Sequence, residues 1–74
     1  MGLPTMVKVL REHQGLTQVK LAVKSDVDPK TLYRSEDTDT IDSISLGNIK
    51  KIAAGLGVNP AMLIDPDLAS VKLT

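Results

Sequence analysis

The breaks in this 74-residue chain confine it to short helices. Gly15, Asp28-Pro29, Gly57, Asn59-Pro60 and Asp65-Pro66 interrupt it, and so does the polar, acidic stretch DTDTIDSI at 37–44. A proline forces the residue before it out of the helical region, and a glycine supplies the left-handed residue that closes a helix. The intervals left hold about one to three turns each, far short of the ~18–20 apolar residues of a membrane span. A bundle of short helices is therefore expected, with no membrane segment and no signal-peptide pattern.

Each interval carries its own start signal and apolar period. Thr5 is a candidate N-cap for a helix over Met6–Gln14, with Met6, Val7 and Leu10 on one face and Gly15 closing it. Thr17 caps a second helix, which buries Leu21 and Ala22, turns out Lys20 and Lys24, and stops near Ser25. Asp28 as N-cap with Pro29 in the first helical position opens a third helix to about Glu36. Residues 37–44 have no helical period and read as a loop. From Ser45, the residues Leu46, Ile49, Ile52, Ala53 and Leu56 recur at three- and four-residue spacing until Gly57, and Asn59-Pro60 begins a short fifth helix with Met62, Leu63 and Ile64. The sequence thus divides into a tail at 1–5, a five-helix domain at 6–64 and a second tail at 65–74.

Composition says what the core is made of. There is no cysteine and a single aromatic, Tyr33, so the core must be aliphatic and holds no disulfide. The missing thiols also remove thiolate metal sites and thiol nucleophiles, and they suit a cytoplasmic protein. His13 has no second histidine to share a metal ion, and 37–42 lacks the glycine and the bidentate glutamate of a calcium loop. No phosphate loop, nucleophile elbow or HExxH is present, so neither an enzyme, a cofactor nor a metal is expected. Readers of single strands stack bases on several aromatic rings, which this chain lacks; readers of duplexes do not need them.

Helices two and three, joined by a turn of three to four residues, follow the plan of a helix-turn-helix. The stretch LTQVKLAVKSDVDPKTLYRSE, Leu16 to Glu36, resembles the lambda-repressor-like family of Cro and XRE-type regulators. Gln18 stands where that family opens helix two, Leu21-Ala22 match its Leu-Ala pair, Val27 its turn hydrophobe and Leu32 its buried aliphatic. Arg11 and Glu36 fall on its ion pair between helices one and three, and SLGNIKKIAAGLGVNPAMLI resembles its last two helices. The resemblance covers residues 7–64 and implies an all-α, compact five-helix domain that binds double-stranded DNA, as a homodimeric repressor or similar regulator. Departures from the pattern are Asp26 at a turn position often held by glycine, and Ser25 and Ser35 at positions that are usually aliphatic. The loop after helix three is also longer, and it carries Asp37, Asp39 and Asp42 where relatives carry phosphate-touching cations.

The resemblance places helix three in the major groove, and the helical period then selects its outward residues. Leu32 points inward, so Pro29, Lys30, Tyr33 and Arg34 are the candidate base readers. Thr17 and Gln18, at the amino end of helix two, and Thr31 are the candidate phosphate contacts. Arg11 and Glu36 form a structural pair, and Met62, Ile64 and Leu68 are candidate dimer contacts. Spacing alone leaves Lys30 and Arg34 readable as ordinary solvated cations, Tyr33 as a cover for the core, and the apolar carboxyl end as plain core. Net charge is zero, yet Lys8–Arg34 holds six cations against three acids, followed by four acids from Glu36 to Asp42. Each phosphate neutralised adds ~0.9 to the salt slope, so three or four cations per subunit imply modest, salt-sensitive binding that a dimer would strengthen. An alternative reading is an antitoxin or adaptor, whose acidic loop and apolar tail bind a protein partner such as a toxin or another regulator.

Overall fold

A computed structural model of the chain describes residues 5–64. Its α-helices are α1 (Met6–His13), α2 (Gln18–Ser25), α3 (Pro29–Ser35), α4 (Leu46–Leu56) and α5 (Ala61–Ile64), with one 3-10 turn at Ile41–Ser43 between α3 and α4. The expected elements are present in the expected order. Helices α1 and α3 each end one residue earlier than the sequence suggests, with Gln14 and Glu36 as their C-caps.

The caps explain the boundaries. Thr17 Oγ1 accepts from the Lys20 amide at 3.1 Å, Asp28 Oδ1 from that of Lys30 at 2.8 Å, and Ser45 Oγ from that of Asn48 at 3.2 Å. Asn59 Oδ1 accepts from the Ala61 amide at 2.9 Å, so each satisfies a donor that the first helical turn leaves unpaired. Thr5 departs from its expected role. Its side chain does not cap α1; the buried hydroxyl instead donates to the Ser35 carbonyl at 2.7 Å, while its amide donates to the Glu36 carbonyl at 3.3 Å. Thr5 therefore fastens the start of α1 to the end of α3. Asp26 ends α2 in the left-handed region at φ 57°, the conformation the turn requires and the one in which glycine is free of strain.

Val7, Leu21, Ala22, Leu32, Ile49, Ile52, Ala53, Leu56 and Leu63 form the buried core, which is aliphatic throughout. Tyr33 is 67% exposed and takes no part in it, which removes the reading of that ring as a core cover. Leu46 also differs from expectation: in the first turn of α4 it is 55% exposed, ahead of the buried stripe that starts at Ile49. The acidic stretch is more ordered than its composition suggests. Asp37 Oδ1 accepts from the Asp39 amide at 2.8 Å, Thr40 Oγ1 donates to the Arg34 carbonyl at 2.6 Å, and the 3-10 turn sets Ile41 and Ile44 against the core.

Helix α2 packs most extensively on α4, and the two small residues Ser25 and Gly55 allow the approach. A Cβ added at Gly55 would overlap the Ser25 hydroxyl and stand 3.3 Å from the Ser25 Cα. The serine is thus the small partner of a close helix crossing, and among the described residues its buried hydroxyl has no hydrogen-bond partner. Ser35, fully buried, turns its hydroxyl back onto the Leu32 carbonyl at 2.6 Å.

Two consequences are measurable by thermal unfolding. Gly55→Ala introduces an overlap costing about 1–3 kcal/mol, more than the ~1 kcal/mol that alanine gains in a helix, so Tm should fall. Asp26→Gly should raise stability by about 1 kcal/mol by relieving the left-handed turn residue, a rise of about 4–8 °C in a domain of this size.

Candidate nucleic-acid interface

The site is built around one carboxylate. Glu36, the C-cap of α3, is buried, and its Oε2 accepts from Arg11 Nε at 2.5 Å. Its Oε1 accepts from Arg11 Nη2 at 3.1 Å and from Gln18 Nε2 at 3.0 Å. Arg11 uses its remaining nitrogen, Nη1, to donate to the Leu16 carbonyl at 2.8 Å, in the turn between α1 and α2. The hydrogen bonds that Arg11 donates to Glu36 and the negative charges of Glu36 and Glu12 raise the Arg11 pKa against the opposing effect of burial, so the guanidinium stays charged. One ion pair therefore links α1, the turn after it, the first residue of α2 and the end of α3. The expected pairing of Arg11 with Glu36 is present, and the geometry adds Gln18 as its third member.

This network and the α2–α3 turn hold α3 with one side buried and one side open. Leu32 and Ser35 face inward, whereas Pro29, Lys30, Tyr33 and Arg34 are exposed and Thr31 is half-buried. Residues 30, 33 and 34 lie at three- and four-residue spacing and so share one strip of the helix. Among the described residues, Lys30 and Arg34 are in no ion pair, which leaves both cations available to a ligand. The exposed Lys20 and Lys24 of α2 add two more cations to the helix-turn-helix. Asp28 is the acid at the start of this strip, with Oδ1 engaged by the Lys30 amide.

The candidate phosphate residues lie at the amino end of α2. Thr17 is exposed, and its hydroxyl is committed as acceptor to the cap. Gln18 is half-buried and its side-chain amide turns inward to Glu36, leaving one of its two N–H hydrogens for another acceptor. Of the candidate dimer residues, Met62 is half-buried on α5; the Ile64 side chain and Leu68 lie outside the described residues. His13 is exposed in the last turn of α1, where a basic group suits the negative end of the helix dipole. Sequence reasoning did not find the Thr5–Ser35 or the Ser25–Gly55 contact, because each joins residues thirty positions apart.

With the geometry in place, the comparisons agree with it. A family model described as helix-turn-helix, of the Cro/C1 type, matches residues 7–63, which is most of the chain. The chain belongs to this family of DNA-binding transcription regulators. No curated protein and no solved structure matches it. Among the described residues, no helix is long and apolar enough to cross a membrane.

The buried pair gives a direct test. Glu36→Ala leaves the half-buried Arg11 without its counter-charge and should cost up to about 3 kcal/mol, read as a lower urea midpoint. Replacing both partners with apolar residues, Arg11→Met with Glu36→Leu, should recover much of that loss, because no uncompensated charge remains.

Proposed function

We propose that this protein is a sequence-specific repressor that binds an inverted-repeat operator as a homodimer, each subunit laying α3 in the major groove. The observation that carries this reading is the exposed strip of Lys30, Tyr33 and Arg34, unpaired and presented by a helix whose inner face is locked to α1 and α2. Lys30 and Arg34 donate to guanine O6 and N7, while Tyr33 packs on a thymine methyl or donates to phosphate. Pro29 starts the helix at the groove wall. Thr17, Gln18 and Thr31 contact phosphate, which sets register without reading sequence.

Residues 6–64 are the DNA-binding unit, and subunits meet on the α5 side, where Met62 is half-buried. The regulator acts in the cytoplasm by covering a promoter, and its occupancy follows protein concentration. The acidic loop keeps Asp37, Asp39 and Asp42 close to the carboxyl end of α3, so binding is weaker than the cations alone would give.

Selection from random duplex DNA at low salt, repeated at physiological salt, tests the proposal. A two-fold-symmetric motif with half-sites about one helical turn (~34 Å) apart is the expected result. Lys30→Ala with Arg34→Ala should abolish the preference at the contacted bases, with ~1–3 kcal/mol lost per guanine contact. A double variant that still selects the same site would remove α3 from base reading. If no motif is enriched, the chain acts through a protein partner, as the antitoxin or adaptor reading holds.

A further inference from the structure

The turn between α2 and α3 carries an acid whose orientation is fixed and whose charge is unanswered. Asp28 is exposed, and its Oδ1 accepts from the Lys30 amide at 2.8 Å. That bond holds the side chain in one orientation and leaves Oδ2 without a partner among the described residues. Among those residues Asp28 is also in no ion pair, so the Lys30 ammonium does not neutralise it. The residue between them, Pro29, has neither a donor nor an acceptor in its side chain and lacks an amide hydrogen. At the Lys30 end of the exposed strip, Asp28 is therefore the group with hydrogen-bonding capacity of its own to offer.

We propose that Asp28 is a specificity-determining residue that selects cytosine at the Lys30 end of the exposed strip. The inference rests on the proposed docking of α3 in the major groove, where the first residues of a recognition helix meet base edges. An ionised carboxylate only accepts hydrogen bonds, and the groove offers it the amino groups of cytosine N4 and adenine N6. Adenine sets the acceptor N7 beside its amino group, which repels the carboxylate, whereas cytosine presents no acceptor there. Guanine O6 and N7 and thymine O4 are acceptors as well, so a carboxylate rejects both of those bases. Against DNA in general the charge of Asp28 opposes the phosphates, and it is compensated only where a cytosine amino group meets Oδ2. Asp28 thus lowers binding to most sequences while Lys30 and Arg34 raise it, and the difference between them is discrimination.

Asparagine caps a helix as well as aspartate does, so Asp28→Asn keeps the bond to the Lys30 amide and removes the charge. The full chain and this variant are compared by selection from random duplex DNA, then by titration of the selected site and of a random-sequence duplex, with Tm as the check on the fold. The wild-type motif should contain a cytosine position that relaxes in Asp28→Asn at unchanged Tm. Changing that cytosine pair alone should weaken wild-type binding about tenfold and leave the variant's binding unaltered. On the random duplex the variant should bind more tightly than the wild type, since a negative charge has left the DNA-facing turn. If Asp28→Asn selects the same motif at every position, the inference fails and the repressor reading stands. Equal gains on both duplexes reduce Asp28 to a plain repulsive charge, and the inference fails again. With no motif enriched by the wild type, both the repressor reading and the inference fall. Should Asp28→Asn lower Tm, Asp28→Ser, another uncharged cap, takes its place in the same comparison.

Discussion

The Glu36 carboxylate is the interaction on which the rest of this domain depends. A buried carboxylate is costly unless its oxygens are fully engaged, and Glu36 meets that condition with two nitrogens of Arg11 and one of Gln18. Those partners lie on α1 and at the first residue of α2, while Glu36 itself ends α3. A single charge pair thus fixes the end of α3 against both helices before it. Arg11 adds the turn between α1 and α2 through the Leu16 carbonyl, so that turn answers to the same group. Thr5 makes a second fastening at the same corner, through the carbonyls of Ser35 and Glu36.

The other end of the helix-turn-helix is held by packing. Helix α2 lies on α4, where Ser25 and Gly55 let the backbones come close, and the aliphatic core fills the space between the helices without an aromatic ring. Spending Tyr33 on the outer face of α3 is possible because leucine, isoleucine, valine and alanine suffice inside. The buried Ser25 hydroxyl, with no hydrogen-bond partner among the described residues, is the cost of that crossing. A rigid inner face and an unpaired outer face on the same seven-residue helix let a small domain present exposed side chains on a backbone with little freedom to lose on binding.

Much of this was legible because it is local. Caps, prolines and glycines act within one turn of the residues that carry them, so Thr17, Asp28, Ser45, Asn59 and Gly57 fixed the helix boundaries to within about a residue. The outward strip of α3 followed from the helical period once Leu32 was known to face inward. Where local reasoning failed, a distant residue competed for the same group. Thr5 has the chemistry of an N-cap, but the Ser35 carbonyl claims its hydroxyl. Leu46 keeps the apolar period of α4, yet lies beyond the reach of the core and faces an apolar groove.

The sequence by itself determined the number and order of the helices, the aliphatic character of the core and the chemistry carried by α3, since each rests on residue type and short-range spacing, whereas the pairing of Arg11 with Glu36, 25 positions apart, followed from the family resemblance. Only the tertiary structure decided that Gln18 joins the buried pair, that Ser25 faces Gly55, that Tyr33 stands in the open and that an apolar groove lies beside α4. Those features depend on how close two helices come and on which of several possible partners reaches a group first. Short-range patterns in a sequence do not carry such distances; packing sets them.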